Sequence, residues 1–159
     1  MDIKIDLSGI EKSINDIEAY KKKFEDNTEE FVKQTTDLGR ETAKANFLKA
    51  QYDGDNDVTV TSRANKKSGT ITASGEAALF IEFGTGISYP DSHPEGPALG
   101  MTHGSWSDGP EGKGHWDDPN GWYYKHGKKS RGNPANRCLY DAGKQVEQKA
   151  PKIAREVFK

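Results

Sequence analysis

Apolar residues recur along the first third of the chain at helical spacing. Ile10, Ile14, Ile17 and Phe24 follow at steps of four, three and seven, and Phe31, Leu38 and Ala45 continue the seven-residue step. This is one stripe on a long amphipathic helix with charged outer faces, as at Lys21-Lys22-Lys23. The helical region runs over 8–51. Ser8 with Glu11 has capping-box spacing, and so does Asn27 with Glu30, which leaves open a break and restart at Asn27 or Thr28. Before it, Asp2 to Leu7 alternates with period two, the pattern of a short strand or extended arm.

Residues 57–74 predict a β-hairpin. Val58-Thr59-Val60-Thr61 is β-branched throughout, Thr70-Ile71-Thr72-Ala73 is its partner, and the basic link between them carries Arg63, Asn65, Lys66, Lys67 and Gly69. Residues 76–84 hold the densest apolar run and read as a short helix or a strand. The helix is favoured, with Ser74 as cap, Glu76 in the first turn and Gly84 as the C-terminal stop. Residues 86–132 form a Gly/Trp/His-rich insert, too long for a structureless loop in a compact domain, so a hairpin is expected within it, with Gly121 to His126 as its best strand. The last helix is expected over 134–158, with Asn133 as cap, Pro134 at its first position, and at Pro151 a kink or a final turn split off from Ile153 to Phe158. Its stripe is Leu139, Ala142, Val146, Ala150 and Ile153. These elements make an α+β fold: the long N-terminal helix and the C-terminal helix pack on a small, mostly antiparallel sheet. The length of 159 residues suits a single domain, 1–159.

Composition narrows the function. Only 32% of residues are hydrophobic and 30% are charged, so the core is small. The net charge of -2 gives no global attraction to nucleic acid or to an anionic membrane. The single cysteine excludes an intrachain disulfide framework. No apolar run approaches the roughly 20 residues that span a bilayer. Met1 to Leu7 is too charged for a signal peptide, so a soluble, unexported protein is expected.

Candidate chemistry is sparse. His93, His103, His115 and His126, with Asp108, Asp117 and Asp118 nearby, invite a metal-dependent enzyme, but they match no HxxxH or HExxH spacing. They read as histidines of a polar loop, and no metal or cofactor is assigned. Cys138 lies near a helix start, where thiols are activated, yet its place beside Leu139 on an apolar stripe suits a small buried residue. Trp106, Trp116, Trp122, Tyr123 and Tyr124 alternate with glycine and lysine. Such aromatics stack on single-stranded nucleic acid or anchor protein interfaces, and the net negative chain favours protein. Glu82 lies between Ile81 and Phe83, where a carboxylate is costly to bury unless paired. A cap or an ion pair within the fold, with a lysine or arginine of another element, explains it better than catalysis.

The order of features resembles a known family. An Ala-rich segment ends Glu82-Phe83-Gly84-Thr85-Gly86, a Gly/Trp-rich excursion carries Gly121-Trp122-Tyr123-Tyr124, and Gly132-Asn133-Pro134-Ala135-Asn136-Arg137-Cys138-Leu139-Tyr140 opens the last helix. This is similar to the head–tail joining, or tail-completion (neck), proteins of long-tailed bacteriophages and prophages. Arg137-Cys138 stands where that family often has Pro-Phe. The resemblance implies a structural virion protein of the neck or upper tail, present in the host cytoplasm during assembly. It implies no reaction and no cofactor. It also implies a homo-oligomeric ring contacting neighbouring neck and tail proteins, without membrane or sequence-specific nucleic acid; the free protein is left as a possible monomer. The motif residues Glu82 to Gly86 and Pro134 then carry structure, and the insert aromatics carry contacts.

Overall fold

The computed structural model describes residues 8–50, 56–85, 92–99, 122–123, 129–130 and 132–159. The first helix, α1 (Ser8–Lys49), is followed by an antiparallel hairpin of β1 (Thr59–Ala64) and β2 (Gly69–Ser74) and by a short helix, α2 (Ala78–Phe83). A 3-10 turn covers Pro97–Leu99. A second, two-residue ladder pairs β3 (Trp122–Tyr123) with β4 (Lys129–Ser130), and α3 (Cys138–Val157) ends the fold. The fold is α+β: a long N-terminal helix, a C-terminal helix and a small two-stranded antiparallel sheet packed on α1.

Helix α1 is unbroken over 42 residues, about 63 Å at 1.5 Å per residue. The break left open at Asn27 or Thr28 is absent. Thr28 turns its hydroxyl back to the Phe24 carbonyl at 2.7 Å, so the would-be cap is used inside the helix. The apolar stripe divides into two environments. Ile10, Ile14, Ile17 and Phe24 are exposed, and so is Ala45. The residues α1 buries are Thr36, Gly39, Ala43 and Phe47, followed by Ala50 just beyond its end. The stripe turns onto this face because two elements cover the C-terminal half. α3 runs antiparallel along one side, from Asn46 Nδ2 donating to the Cys138 carbonyl at 3.1 Å to Phe158, whose ring centroid lies 6.3 Å from that of Phe31. The hairpin covers the other side. Gly39 lies against both elements: a Cβ there would stand 2.5 Å from Ile71 Cδ1 and 3.1 Å from Val146 Cγ2.

The hairpin pairs Thr59 with Ser74 through Ala64 with Gly69. Its alternation turns Val60, Ser62, Ile71 and Ala73 inward and leaves its threonines exposed. Asn65 builds the tip, its Oδ1 accepting from the backbone N–H of Lys67 and of Ser68, both at 2.8 Å. The core lies where the end of α1, the hairpin, α2 and the start of α3 converge. Phe47, Ala50, Ala77, Ile81 and Cys138 form it, with Val58, Val60, Ala73 and Leu139 packed around them. Full burial of Phe47 and Ile81 contributes about 1.5–3 kcal/mol each.

Two boundaries differ from the sequence reading. The last helix begins at Cys138, not at Pro134, and Asn133 is not its cap. Asn133, Asn136 and Arg137 instead spend their backbone donors on α2 and the segment that follows it, as described below. Pro151 lies inside α3, which runs on through Val157 without splitting off a final turn. The arm over residues 2–7 lies outside the described residues.

Candidate functional site

The Glu82 motif lies at a junction of two helix ends. Helix α2 forms over Ala78–Phe83, which settles the choice between helix and strand. Its start is closed by Asp57 and not by Ser74, which is the last residue of β2. Asp57 Oδ1 accepts the N–H of Ala77 at 3.0 Å, and Oδ2 accepts that of Glu76. These two backbone donors, Ala77 above all, hold the Asp57 carboxyl below its ordinary value. The preceding residue, Asn56, closes α1 in the opposite sense, donating from Nδ2 to the carbonyls of Phe47 and Ala50.

At its other end α2 runs directly into the start of α3. The carbonyls of Ile81 and Glu82 accept the N–H groups of Asn136 at 2.9 Å and Arg137 at 3.2 Å. The Glu82 carboxylate then reaches past them: Oε2 accepts from the Leu139 N–H at 2.8 Å and Oε1 from the Tyr140 N–H at 3.0 Å. Arg137 occupies the cap position of α3 in the left-handed region, φ 54, and makes no side-chain cap bond. Glu82 supplies that cap from another element, with its charge at the positive end of the helix dipole.

Gly84 lets the two segments close. Its φ is +79, and a Cβ would stand 2.5 Å from the Asn133 carbonyl oxygen and 2.7 Å from the Ala135 nitrogen. Both neighbours are backbone and cannot swing aside, so the position is restricted to glycine by conformation and by space. Thr85 and Asn133 next exchange two backbone hydrogen bonds, at 2.9 and 3.1 Å, and Thr85 Oγ1 accepts from the same Asn133 N–H. Pro134, whose missing donor costs nothing here, crosses Gly84, and Ala135 donates to Ser92 Oγ at 3.0 Å. Of the motif residues, Glu82, Phe83, Gly84, Thr85 and Pro134 meet in this junction, while Gly86 lies outside the described residues.

The buried charge has a partner that the sequence reading missed. His93 is 4% exposed, and its Nε2 lies 3.2 Å from Glu82 Oε1. Its Nδ1 accepts the Glu95 N–H at 3.2 Å, so the ring proton sits on Nε2 and points to the carboxylate. The imidazole is fixed between Phe83, at 4.4 Å between centroids, and the edge of Tyr140, at 5.4 Å. His93 is therefore a buried residue of its loop and not a solvated one, and Glu82 pairs with it and with a helix N-terminus instead of a lysine or arginine. One signal was available: His93, eleven residues on, is the first basic side chain after Glu82.

Chemically, this cluster is occupied by its own structure. Both oxygens of Glu82 and both nitrogens of His93 are engaged, so as a base Glu82 would have to release the start of α3 and His93 the Glu95 N–H. Cys138 is 1% exposed, and burial, with the charges of Glu82 and Asp141, pushes its thiol up to about 12. It is a protonated core residue at neutral pH. Among the described residues, no group of three or more His, Cys, Asp and Glu side chains is placed to hold a metal ion. His103, His115 and His126 lie outside them.

Beside His93 opens a cleft of about 390 Å³. Leu79, Phe83, Leu99, Leu139 and Tyr140 give it an apolar lining, and Glu95, Lys144 and Glu147 add charge. Leu79 and Leu99 are 47% and 58% exposed, and Lys144 Nζ lies 3.0 Å from Glu147 Oε2 and 5.5 Å from the Tyr140 ring centroid. Such a surface suits an apolar side chain flanked by polar groups.

The insert aromatics are placed only in part. Trp122 and Tyr123 form β3, in register with Ser130 and Lys129. Trp106, Trp116 and Tyr124 lie outside the described residues. Among the described residues no helix is long and apolar enough to cross a membrane. No family model, no curated protein and no solved structure matches this chain.

Proposed function

We propose that this protein is a structural virion component of the phage neck or tail-completion kind, acting through self-association and contacts with neighbouring virion proteins. The observation that carries the reading is the use of Glu82. The most conspicuous charge in the core is spent on two α3 backbone donors and on His93. That is the role expected of a motif that shapes a subunit, and it leaves the Glu-Phe-Gly-Thr segment without a reactive group to offer. The resemblance of that segment, and of Gly132 to Tyr140, to the neck family supplies the biological setting.

A ring subunit needs a rigid body with adhesive edges. The junction of α2 and α3 on α1 supplies rigidity. The edges of the two-stranded hairpin, which pair with no further strand among the described residues, and the apolar cleft at Leu79 and Leu99 supply contact surfaces. The insert adds tryptophan and tyrosine, which anchor interfaces at low entropic cost. Heterologous contacts between copies then close into a ring in the virion, after assembly in the host cytoplasm.

The test is incorporation. The tagged chain is co-expressed with the proteins encoded beside it, and particles are purified and imaged. Fixed-stoichiometry incorporation at the capsid–tail junction or upper tail is expected. Neighbouring genes with no portal, capsid or tail-tube product, together with a stoichiometric metal in protein purified without chelator and turnover dependent on it, would replace this reading with the metal-dependent enzyme. A salt-sensitive shift of DNA would replace it with the nucleic-acid module.

A further inference from the structure

The α3 residues that line the cleft beside His93 are Leu139, Tyr140, Gly143, Lys144 and Glu147, one helix face at spacings of three and four. Gly143 lies inside this helix, where glycine is less favourable than alanine. The packing does not require it: among the described residues no atom stands within 4 Å of where its Cβ would be. Gly39 is the contrast, since a Cβ there would strike Ile71 and Val146. At Gly143 the missing side chain only leaves the cleft open. The same cleft has an apolar lining and leaves Leu79 and Leu99 exposed. Open space, apolar walls and uncovered leucines suit an apolar side chain that comes from outside the subunit.

The ionisable groups of the lining set the sign of the occupant. They are Glu82, His93, Glu95, Lys144 and Glu147, while α1 and β2 contribute only Phe47 and Ala73. Glu82 is spent on the start of α3 and on the His93 proton. Lys144 Nζ bonds Glu147 Oε2 at 3.0 Å. That bond first, and also the charge of Glu95, hold the ammonium above its ordinary value. Asp141, elsewhere on α3, faces Arg137 at 3.9 Å and is not in the lining. The exposed groups of the cleft are therefore two carboxylates, Glu95 and Glu147, against the one ammonium of Lys144. We propose that the cleft takes an aliphatic side chain of a partner protein that carries a lysine or arginine beside it. The aliphatic group fills the space left at Gly143 and covers Leu79 and Leu99, and the basic neighbour meets Glu95 and Glu147. A nucleic acid is the poorer occupant, since the same carboxylates repel phosphate. The proposal rests on the neck reading for the partner's being a protein. Its test uses the isolated chain, so a failed titration leaves incorporation into particles standing, and failed incorporation leaves a positive titration standing.

The isotope-labelled full chain is titrated by NMR with three end-capped tripeptides at millimolar concentration: Lys-Leu-Lys, Ser-Leu-Ser and Glu-Leu-Glu. Saturable shifts are expected at the amides of Leu79, Leu99, Tyr140 and Gly143, with Lys-Leu-Lys bound at least about threefold more tightly than Glu-Leu-Glu. Glu95→Gln should narrow that ratio and keep the fold, since Glu95 is exposed and its backbone N–H still reaches His93. Gly143→Leu should weaken Lys-Leu-Lys at least about tenfold and melt no lower than the parent, because it fills the cleft, favours the helix and meets no atom at its Cβ. The absence of saturable shifts, equal affinity for the lysine and glutamate flanks, or unweakened binding to Gly143→Leu would each overturn the proposal. So would self-association of the parent, seen by sedimentation equilibrium, that Gly143→Leu abolishes, because a second copy would then be the occupant.

Discussion

The starts of α2 and α3 are closed by the same device in opposite surroundings. Neither helix brings its own cap: Ala77 and Arg137 hold those positions without a side-chain hydrogen bond. At each, a carboxylate from another element accepts two consecutive backbone N–H groups. Asp57 does so in the open, while Glu82 does so at 5% exposure with His93 against it. The difference lies in what replaces a lost cap. Asp57 and Glu76 are exposed, so water can bond the Glu76 N–H that Asp57 leaves. The Glu82 carboxylate and His93 are buried over the half-buried starts of Leu139 and Tyr140, so the loss of Glu82 leaves those two donors and His93 without their acceptor, which is the expensive case.

The comparison is broken most severely at Gly84. Gly84→Val places a branched side chain at positive φ against the backbone of 133–135, and should lower stability by about 3 kcal/mol or more. In thermal unfolding followed by circular dichroism that is roughly 10 °C for a chain of this size. An unchanged transition would mean that the α2–α3 junction does not close as described. Glu82→Gln is next. Its amide nitrogen turns a donor toward a donor or toward His93, and a loss of about 2–3 kcal/mol in urea unfolding is expected. His93→Phe keeps the ring but removes the proton given to Glu82 and the acceptor for the Glu95 N–H, with an expected loss of about 1–2 kcal/mol. Glu82→Gln and His93→Phe combined should cost less than their sum, since both act on one contact. Strict additivity in the double-mutant cycle would separate the two residues.

Asp57 gives the smallest effect and the clearest pH dependence. Its carboxyl lies below the ordinary 3.8 in the folded state because the Ala77 and Glu76 N–H groups favour its charged form. The folded value is depressed, so the stabilisation is fully present above 3.8 and is lost as pH falls below it through the folded value. Asp57→Asn should therefore melt slightly lower at neutral pH and show a flatter decline of stability with acid. A parallel acid limb in parent and variant would show that the two donors are served equally well by solvent.

Much of the fold was legible because periodicity is local. The stripe through Ile10 to Phe31 marks α1, the alternation at Val58–Thr61 and Thr70–Ala73 marks the hairpin, and Gly84 marks a helix stop. The site was legible as a problem but not as a solution. A carboxylate between Ile81 and Phe83 required a partner, yet the partners are His93 and the N–H groups of Leu139 and Tyr140, 57 and 58 residues along the chain for the last two. The start of α3 was misread for the same reason. Asn133-Pro134 has the local chemistry of a helix entry, but Asn133 is paired with Thr85 and the cap arrives from α2.

The chain's own order of residues determined which segments are helical and which extended, where glycine permits a turn, and that one charge in an apolar run needed a counterpart. These follow from contacts within a few residues, and the sequence spells them out. The tertiary structure decided which face of α1 is covered, where α3 starts, and which groups satisfy the helix ends. Those depend on backbone donors and acceptors brought together from distant positions, and every residue but proline offers the same N–H and C=O to be chosen.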